Sequence, residues 1–144
     1  MSKLMTREQY NEYIKNYAGC AFCHYDEDQI ILKEFEHWVW IANIAPYVPY
    51  HTLIIPKRHF TEFEEQTFKE AGELLSVLHF AKKKLLDLKE VDRVVYFWRF
   101  RDENAPVEAL KIPHFHLNLM PDKEGSWNPI LDPEAYKTDI GVLR

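Results

Sequence analysis

A single long helical stretch, Thr61 to Glu90, falls between the third and fourth of five short β-like runs. No other feature narrows the fold as much. The runs are Gln29–Phe35, Trp38–Ile44, His51–Ile55, Val91–Arg101 and His114–Met120, without regular helix–strand alternation. Parallel strands need a crossover of about a dozen or more residues, usually a helix. The order therefore predicts an α+β chain with a five-stranded antiparallel sheet, one long helix and an N-terminal helix. A polar Glu34–His37 turn makes the first two runs a hairpin, and Pro56 closes the third. Phe68, Ala71, Leu75, Leu78, Ala81, Leu85 and Leu88 mark the apolar face expected for the long helix. The N-terminal helix starts from a Thr6 cap, carries Tyr10, Tyr13, Ile14 and Tyr17, and ends near Ala18 at Gly19. A brief helical turn is expected near Pro133–Lys137.

With 144 residues and 47% apolar content, the chain reads as one domain over 1–144. Its apolar runs are far too short for a membrane span, and the first residues carry no signal-peptide core, so the expected compartment is the cytosol. A net charge of −5 argues against a general attraction to nucleic acid or anionic lipid, though not against a basic pocket for one small anion. Four scattered glycines form neither G-x-x-x-x-G-K-[ST] nor G-x-G-x-x-G, which removes glycine-loop phosphate binding. Aromatic residues, by contrast, make up 15% of the chain, and Trp38–Trp40 and Tyr96–Trp98 are candidates for a base pocket, a core or a subunit contact.

Three clusters can carry chemistry. Cys20-Ala21-Phe22-Cys23 puts two thiolates on one tight turn, which is half of a tetrahedral metal site. The same residues also read as reduced thiols, as a redox pair lacking its βαβ setting, or with His24 as a haem-attachment pattern lacking an exported helical wrap. In His114-Phe115-His116-Leu117-Asn118, strand alternation puts His114, His116 and Asn118 on one face, with Phe115 and Leu117 on the other. Imidazoles in register on a polar face favour a working site over a solvated one. His51-Thr52-Leu53-Ile54-Ile55-Pro56-Lys57-Arg58-His59 is a buried strand running into a basic turn, and alone it reads as a solvated corner with a loop histidine.

Taken in order, these clusters resemble the histidine-triad superfamily of nucleotide hydrolases and transferases. His37 to His59 also looks like the galactose-1-phosphate uridylyltransferases of that superfamily. The resemblance implies one structural zinc per chain on Cys20, Cys23, His59 and His114. It makes His116 the nucleophile, attacking the α-phosphorus of a nucleotide to give a nucleotidyl-histidine that water or another acceptor resolves. His51 takes a supporting place at the substrate site, Asn43 stands where hydrolases often hold the ribose hydroxyls, and the chain is expected to form a homodimer through the long helix and Val91–Arg101. Asn118 stands where hydrolases carry a third histidine and transferases an amide. It can donate a hydrogen bond to phosphate but cannot act as an acid near neutral pH. The Ala109–Pro113 run lacks the usual hydroxyl, amide and glycine, leaving backbone amides, Lys111, Arg99 or Arg101 for phosphate contacts. The alternative is a non-catalytic nucleotide-binding or interaction module on the same fold.

Overall fold

The computed structural model describes residues 3–105, 112–122 and 132–144. In chain order its elements are α1 (Arg7–Asn16), α2 (Tyr25–Asp28), β1 (Ile31–Glu34), β2 (Trp38–Ala42), β3 (Thr52–Pro56), α3 (Phe68–Leu86), β4 (Arg93–Phe97) and β5 (Leu117–Asp122). The strands form one five-stranded sheet in the order β1-β2-β3-β5-β4, with every neighbouring pair antiparallel. The expected architecture is present. Short 3-10 turns cover Phe63–Glu65, Ala135–Lys137 and Ile140–Leu143. No helix among the described residues is long and apolar enough to cross a membrane.

Each sheet face is covered by its own apolar cluster, because successive strand side chains point to opposite sides. On one face Trp38, Trp40, Ile54, Phe115, Leu117 and Leu119 pack against Leu74, Val77, Ala81 and Leu85 of α3. On the other, Val39, Ile41, Leu53 and Ile55 meet Tyr10 of α1, Phe22 and Ile112. The Trp38 indole N–H donates to the Glu70 carbonyl at 2.8 Å, tying β2 to the start of α3. Trp38 and Trp40 are thus core residues rather than walls of a base pocket.

Several elements are shorter than the sequence suggests. Helix α1 begins at a Thr6–Gln9 capping box but stops at Asn16, where Tyr17 turns extended, and Gly19 (φ +89°) serves the turn into Cys20. Helix α3 begins at the Thr67 cap, whose hydroxyl accepts from the Glu70 N–H. Its buried face is also rotated from the one expected. Leu74 and Val77 point inward, whereas Phe68 is 99% and Leu75 72% exposed. The helix carries more apolar residues than one stripe needs, and Glu70 takes an inward position because Arg58 neutralises it. The surplus apolar face lies beside Tyr96 and Trp98 of the β4 end, each 39% exposed.

Candidate active site and metal centre

The segment before β5 does the placing. His114 and His116 precede the strand instead of lying within it, since β5 starts at Leu117. Their alternation survives because Phe115 anchors the helix side. Its N–H donates to the Phe60 carbonyl at 2.6 Å, and its ring stacks on Phe60 at 5.6 Å. Both imidazoles then project to the other side, where the Phe22 ring meets them edge-on at 5.9 and 5.3 Å.

The same backbone bond sets His114 beside His59. His59 Nδ1 lies 3.1 Å from His114 Nδ1 and 3.2 Å from Cys23 Sγ, while His114 Nδ1 lies 3.4 Å from Cys20 Sγ and 3.6 Å from Cys23 Sγ. A tetrahedron with metal–nitrogen bonds of ~2.0–2.1 Å and metal–sulfur bonds of ~2.3 Å has edges of about 3.3–3.8 Å. The donor spacing matches such a site. His114 Nε2–H donates to the Pro56 carbonyl at 2.9 Å, leaving Nδ1 as a bare lone pair aimed at the thiols, which is the usual support for a metal-binding imidazole. Desolvation holds His114 neutral, down to about 4, against the opposing pull of that bond. Desolvation and the adjacent Cys20 thiol push Cys23 up to about 11, a shift that a bound dication would reverse. These four residues can therefore hold a metal ion. His24 caps α2 outside this group, so the haem pattern has no structural counterpart here. The supposed solvated corner is anchored too. Arg58 grips the buried Glu70 carboxylate at 2.8 and 3.2 Å and the Glu65 carbonyl at 2.6 Å, fixing the turn that presents His59.

On the far side of the same loop, His116 Nδ1–H donates to the His114 carbonyl at 2.8 Å. That fixes the tautomer, so Nε2 carries the lone pair. Burial depresses the His116 pKa, Arg99 depresses it further, and the bond to the carbonyl opposes both. Asn118 is oriented by a chain of bonds. The Tyr47 N–H donates to His51 Nδ1 at 3.3 Å, so His51 Nε2 bears the proton and donates to Asn118 Oδ1 at 2.9 Å. The Asn118 amide nitrogen is left buried and without a partner among the described residues. Burial pushes His51 down to about 4, with the Asn118 bond opposing and Arg7, His116 and Arg99 adding to the shift.

His116 and Asn118 floor a narrow cavity of about 40 Å³, walled by Phe22, Asn43, Ile44 and Ile112 and edged by Arg7 and Arg99. Of the residues singled out in the sequence, His116, Asn118 and Asn43 line it together. Asn43 spends its side-chain oxygen on the Ala45 N–H at 3.0 Å and its nitrogen on the His51 ring. His51 is fully buried behind Asn118 and does not line the cavity. Lys111 and Ala109–Leu110 lie outside the described residues. Arg101 is turned away to Glu62, at 3.6 Å, whereas Arg99 reaches the cavity. Sequence reading missed Arg7, Gln29 and Tyr47, which carry no motif.

A family comparison settles the class. The HIT domain model matches residues 25–125. The chain belongs to the HIT family. An uncharacterised HIT-like protein of Methanocaldococcus jannaschii is 27% identical over 124 residues, covering 84% of this chain and 92% of the relative. A zinc-bound histidine-triad protein of Mycobacterium smegmatis superposes with a TM-score of 0.66 at 21% identity, covering 87% of this chain and 93% of that one. The ADP-glucose phosphorylase of Arabidopsis thaliana, with ADP-glucose bound, superposes with a TM-score of 0.70 at 21% identity. This HIT chain spans 93% of its own length in that match but 46% of the phosphorylase. HIT relatives thus include nucleotide-processing phosphorylases.

Proposed function

We propose that this HIT protein is a nucleotidyl-transferring enzyme that works through a covalent nucleotidyl-His116. The observation that carries the reading is the tautomer of His116. Its Nδ1 proton is committed to the His114 carbonyl, so the nucleophilic Nε2 is ready without a prior proton transfer. The substrate is a dinucleoside polyphosphate, a nucleotide sugar or a related nucleoside monophosphate conjugate. His116 attacks its α-phosphorus, the bond to the leaving group breaks, and water or orthophosphate then takes the nucleotidyl group. The unpartnered Asn118 amide stabilises the charge growing on a non-bridging oxygen. An amide cannot serve as an acid, which favours leaving groups that depart as anions. The unfilled donor also argues for an active site over a binding module.

Zinc bound by Cys20, Cys23, His59 and His114 has a structural role, since four protein ligands leave no open position. It clips the N-terminal segment to the His59 turn and to the loop bearing His116. The apolar face of Phe63, Leu75, Leu78, Tyr96 and Trp98 supports a homodimer through α3 and β4. The test exposes the protein to dinucleoside polyphosphates, nucleotide sugars and nucleoside phosphoramidates, followed by intact mass and metal analysis. A nucleotidyl mass on wild type, absent from His116→Ala, with one zinc per chain in both, is the expected result. Normal turnover by His116→Ala would overturn the mechanism. Thermal stabilisation by nucleotides with no substrate consumed would favour the binding module.

A further inference from the structure

Arginine pairing across the molecule is uneven. Among the described residues Arg58, Arg93 and Arg101 each pair with a carboxylate, whereas Arg7, Arg99 and Arg144 pair with none. Arg144 donates to the Ile31 carbonyl away from the site, while Arg7 and Arg99 edge the His116 cavity, in a chain with 23 acidic and 18 basic residues. Cations left unpaired by so acidic a protein, beside a nucleophile and an unpartnered amide, await an anion. Arg7 is also held in place. Its guanidinium donates to the Ala45 carbonyl at 2.6 Å and lies 4.0 Å from the centre of the Tyr47 ring, which fixes its plane and leaves its other N–H groups to serve. It comes from α1, outside the segment matched by the family model.

The two arginines are not equivalent. Both charges register on His51, but only that of Arg99 registers on His116, and that of Arg7 registers on Tyr10. Arg7 and Tyr47 also line a second, outer groove of about 530 Å³ that adjoins the first cavity. Among the described residues Arg7 is the one cation lining that groove, whose other charges are Glu8, Asp132 and Glu134, the last paired with Lys137. The inner cavity has room for a phosphoryl group, so the next group of the substrate must emerge past its rim. An anion emerging there meets Arg7 first and acidic side chains beyond.

We propose that Arg7 is the leaving-group site of this enzyme, binding the phosphate released from the scissile bond, and that the groove beyond it takes an uncharged body. This rests on the His116 mechanism. As the His116 Nε2–phosphorus bond forms, the bond to the leaving oxygen breaks, and its electron pair stays on that oxygen. Arg7 receives the resulting negative charge, so no proton is required. Arg99 serves the phosphoryl group being transferred. The preferred leaving group is a phosphate carrying a neutral substituent, such as a sugar, and a chain of further phosphates would run into Glu8 and Asp132.

The experiment compares Arg7→Gln, Arg7→Lys, Arg99→Gln and wild type on two probes, a nucleoside diphosphate sugar and a nucleoside 5′-phosphoro-N-methylimidazolide, whose leaving group departs as a neutral heterocycle without needing a proton. Arg7→Gln should lower kcat/KM on the diphosphate sugar by about 10- to 100-fold, the range of a charge-assisted hydrogen bond. It should change the imidazolide rate less than about threefold, which also shows that the variant is folded. Arg7→Lys should recover part of the loss, and Arg99→Gln should slow both probes. Equal losses on both probes for Arg7→Gln, or no loss on either, overturn the proposal while a His116 adduct leaves the mechanism standing. Absence of any adduct on wild type overturns both.

Discussion

Two histidines two residues apart, His114 and His116, lead into opposite kinds of site. Around His114 the donors converge on one another, with His59, Cys20 and Cys23 all within 3.6 Å of its Nδ1 or of a shared neighbour. Around His116 the donors are kept apart, with the unpartnered Asn118 amide and the guanidinium groups of Arg7 and Arg99 lining a cavity and, among the described residues, no carboxylate paired with either arginine. On the proposed reading, the first arrangement suits an ion that stays and the second a substrate that comes and goes. They are linked by a hydrogen bond from His116 Nδ1 to the His114 carbonyl and by the Phe22 ring that touches both, so order at the Cys/His group carries over to His116. Buried polar groups normally find partners. The Asn118 amide nitrogen, buried without one beside the cavity, is the donor that the proposed mechanism uses.

The sharpest way to separate the sites is to remove one imidazole at a time. His116→Ala should cut turnover by about 10⁴-fold or more while zinc content and melting temperature stay at wild-type values. A variant that loses metal as well would show that the two sites are one unit. Cys23→Ser should do the reverse first. Metal binding is coupled to folding, so loss of a ligand should lower the melting temperature by about 10 °C or more, with activity falling as a consequence. Differential scanning calorimetry with and without a chelator reads this directly, and a chelator-insensitive wild type would remove the structural metal from the account.

A smaller effect tests the support behind the catalytic side. Asn118→Ala should lower kcat/KM by about 10- to 100-fold without altering zinc content, because it deletes one donor to the phosphoryl oxygens. Full activity in that variant would mean the buried amide has no role in turnover. His51 adds a pH signature. Its folded pKa near 4 lies below the ordinary 6.5, so between those values the unfolded chain binds a proton that the folded one refuses. Its contribution to stability is complete above about pH 6.5 and is lost as pH falls toward 4. The groups facing it, Arg7, Arg99 and His116, act in the same direction. Denaturant midpoints of His51→Gln and wild type should therefore converge at acid pH, and parallel curves would remove this role. The least change is expected from Leu75→Glu. It should turn a dimer into a monomer in sedimentation while moving chain stability by no more than about 0.5 kcal/mol.

Local chemistry was plain in the sequence where it depended on local spacing. Thr6 caps its helix because a hydroxyl three residues ahead of a free N–H can reach it, and the alternation of His114, Phe115 and His116 sorts polar from apolar whatever the strand boundaries. The inward face of α3 was not legible. A helix with more apolar residues than one stripe needs can turn either way, and the partner surface chose Leu74 and Val77 over Phe68 and Leu75. Nor did spacing alone distinguish a solvated Lys57–Arg58 corner from the anchored one, since Glu70 enters from the helix.

The residues themselves determined the element order, the antiparallel sheet, the paired thiols and the imidazoles on one face, because each follows from neighbours along the chain. Only the tertiary structure brought Cys20 and Cys23 to His59 and His114, aligned His51 behind Asn118, and carried Arg7 from the first helix to the rim of the His116 cavity. Those contacts join residues distant in sequence. They exist because both faces of one sheet had to be covered, and the segments that cover them carry their polar groups along.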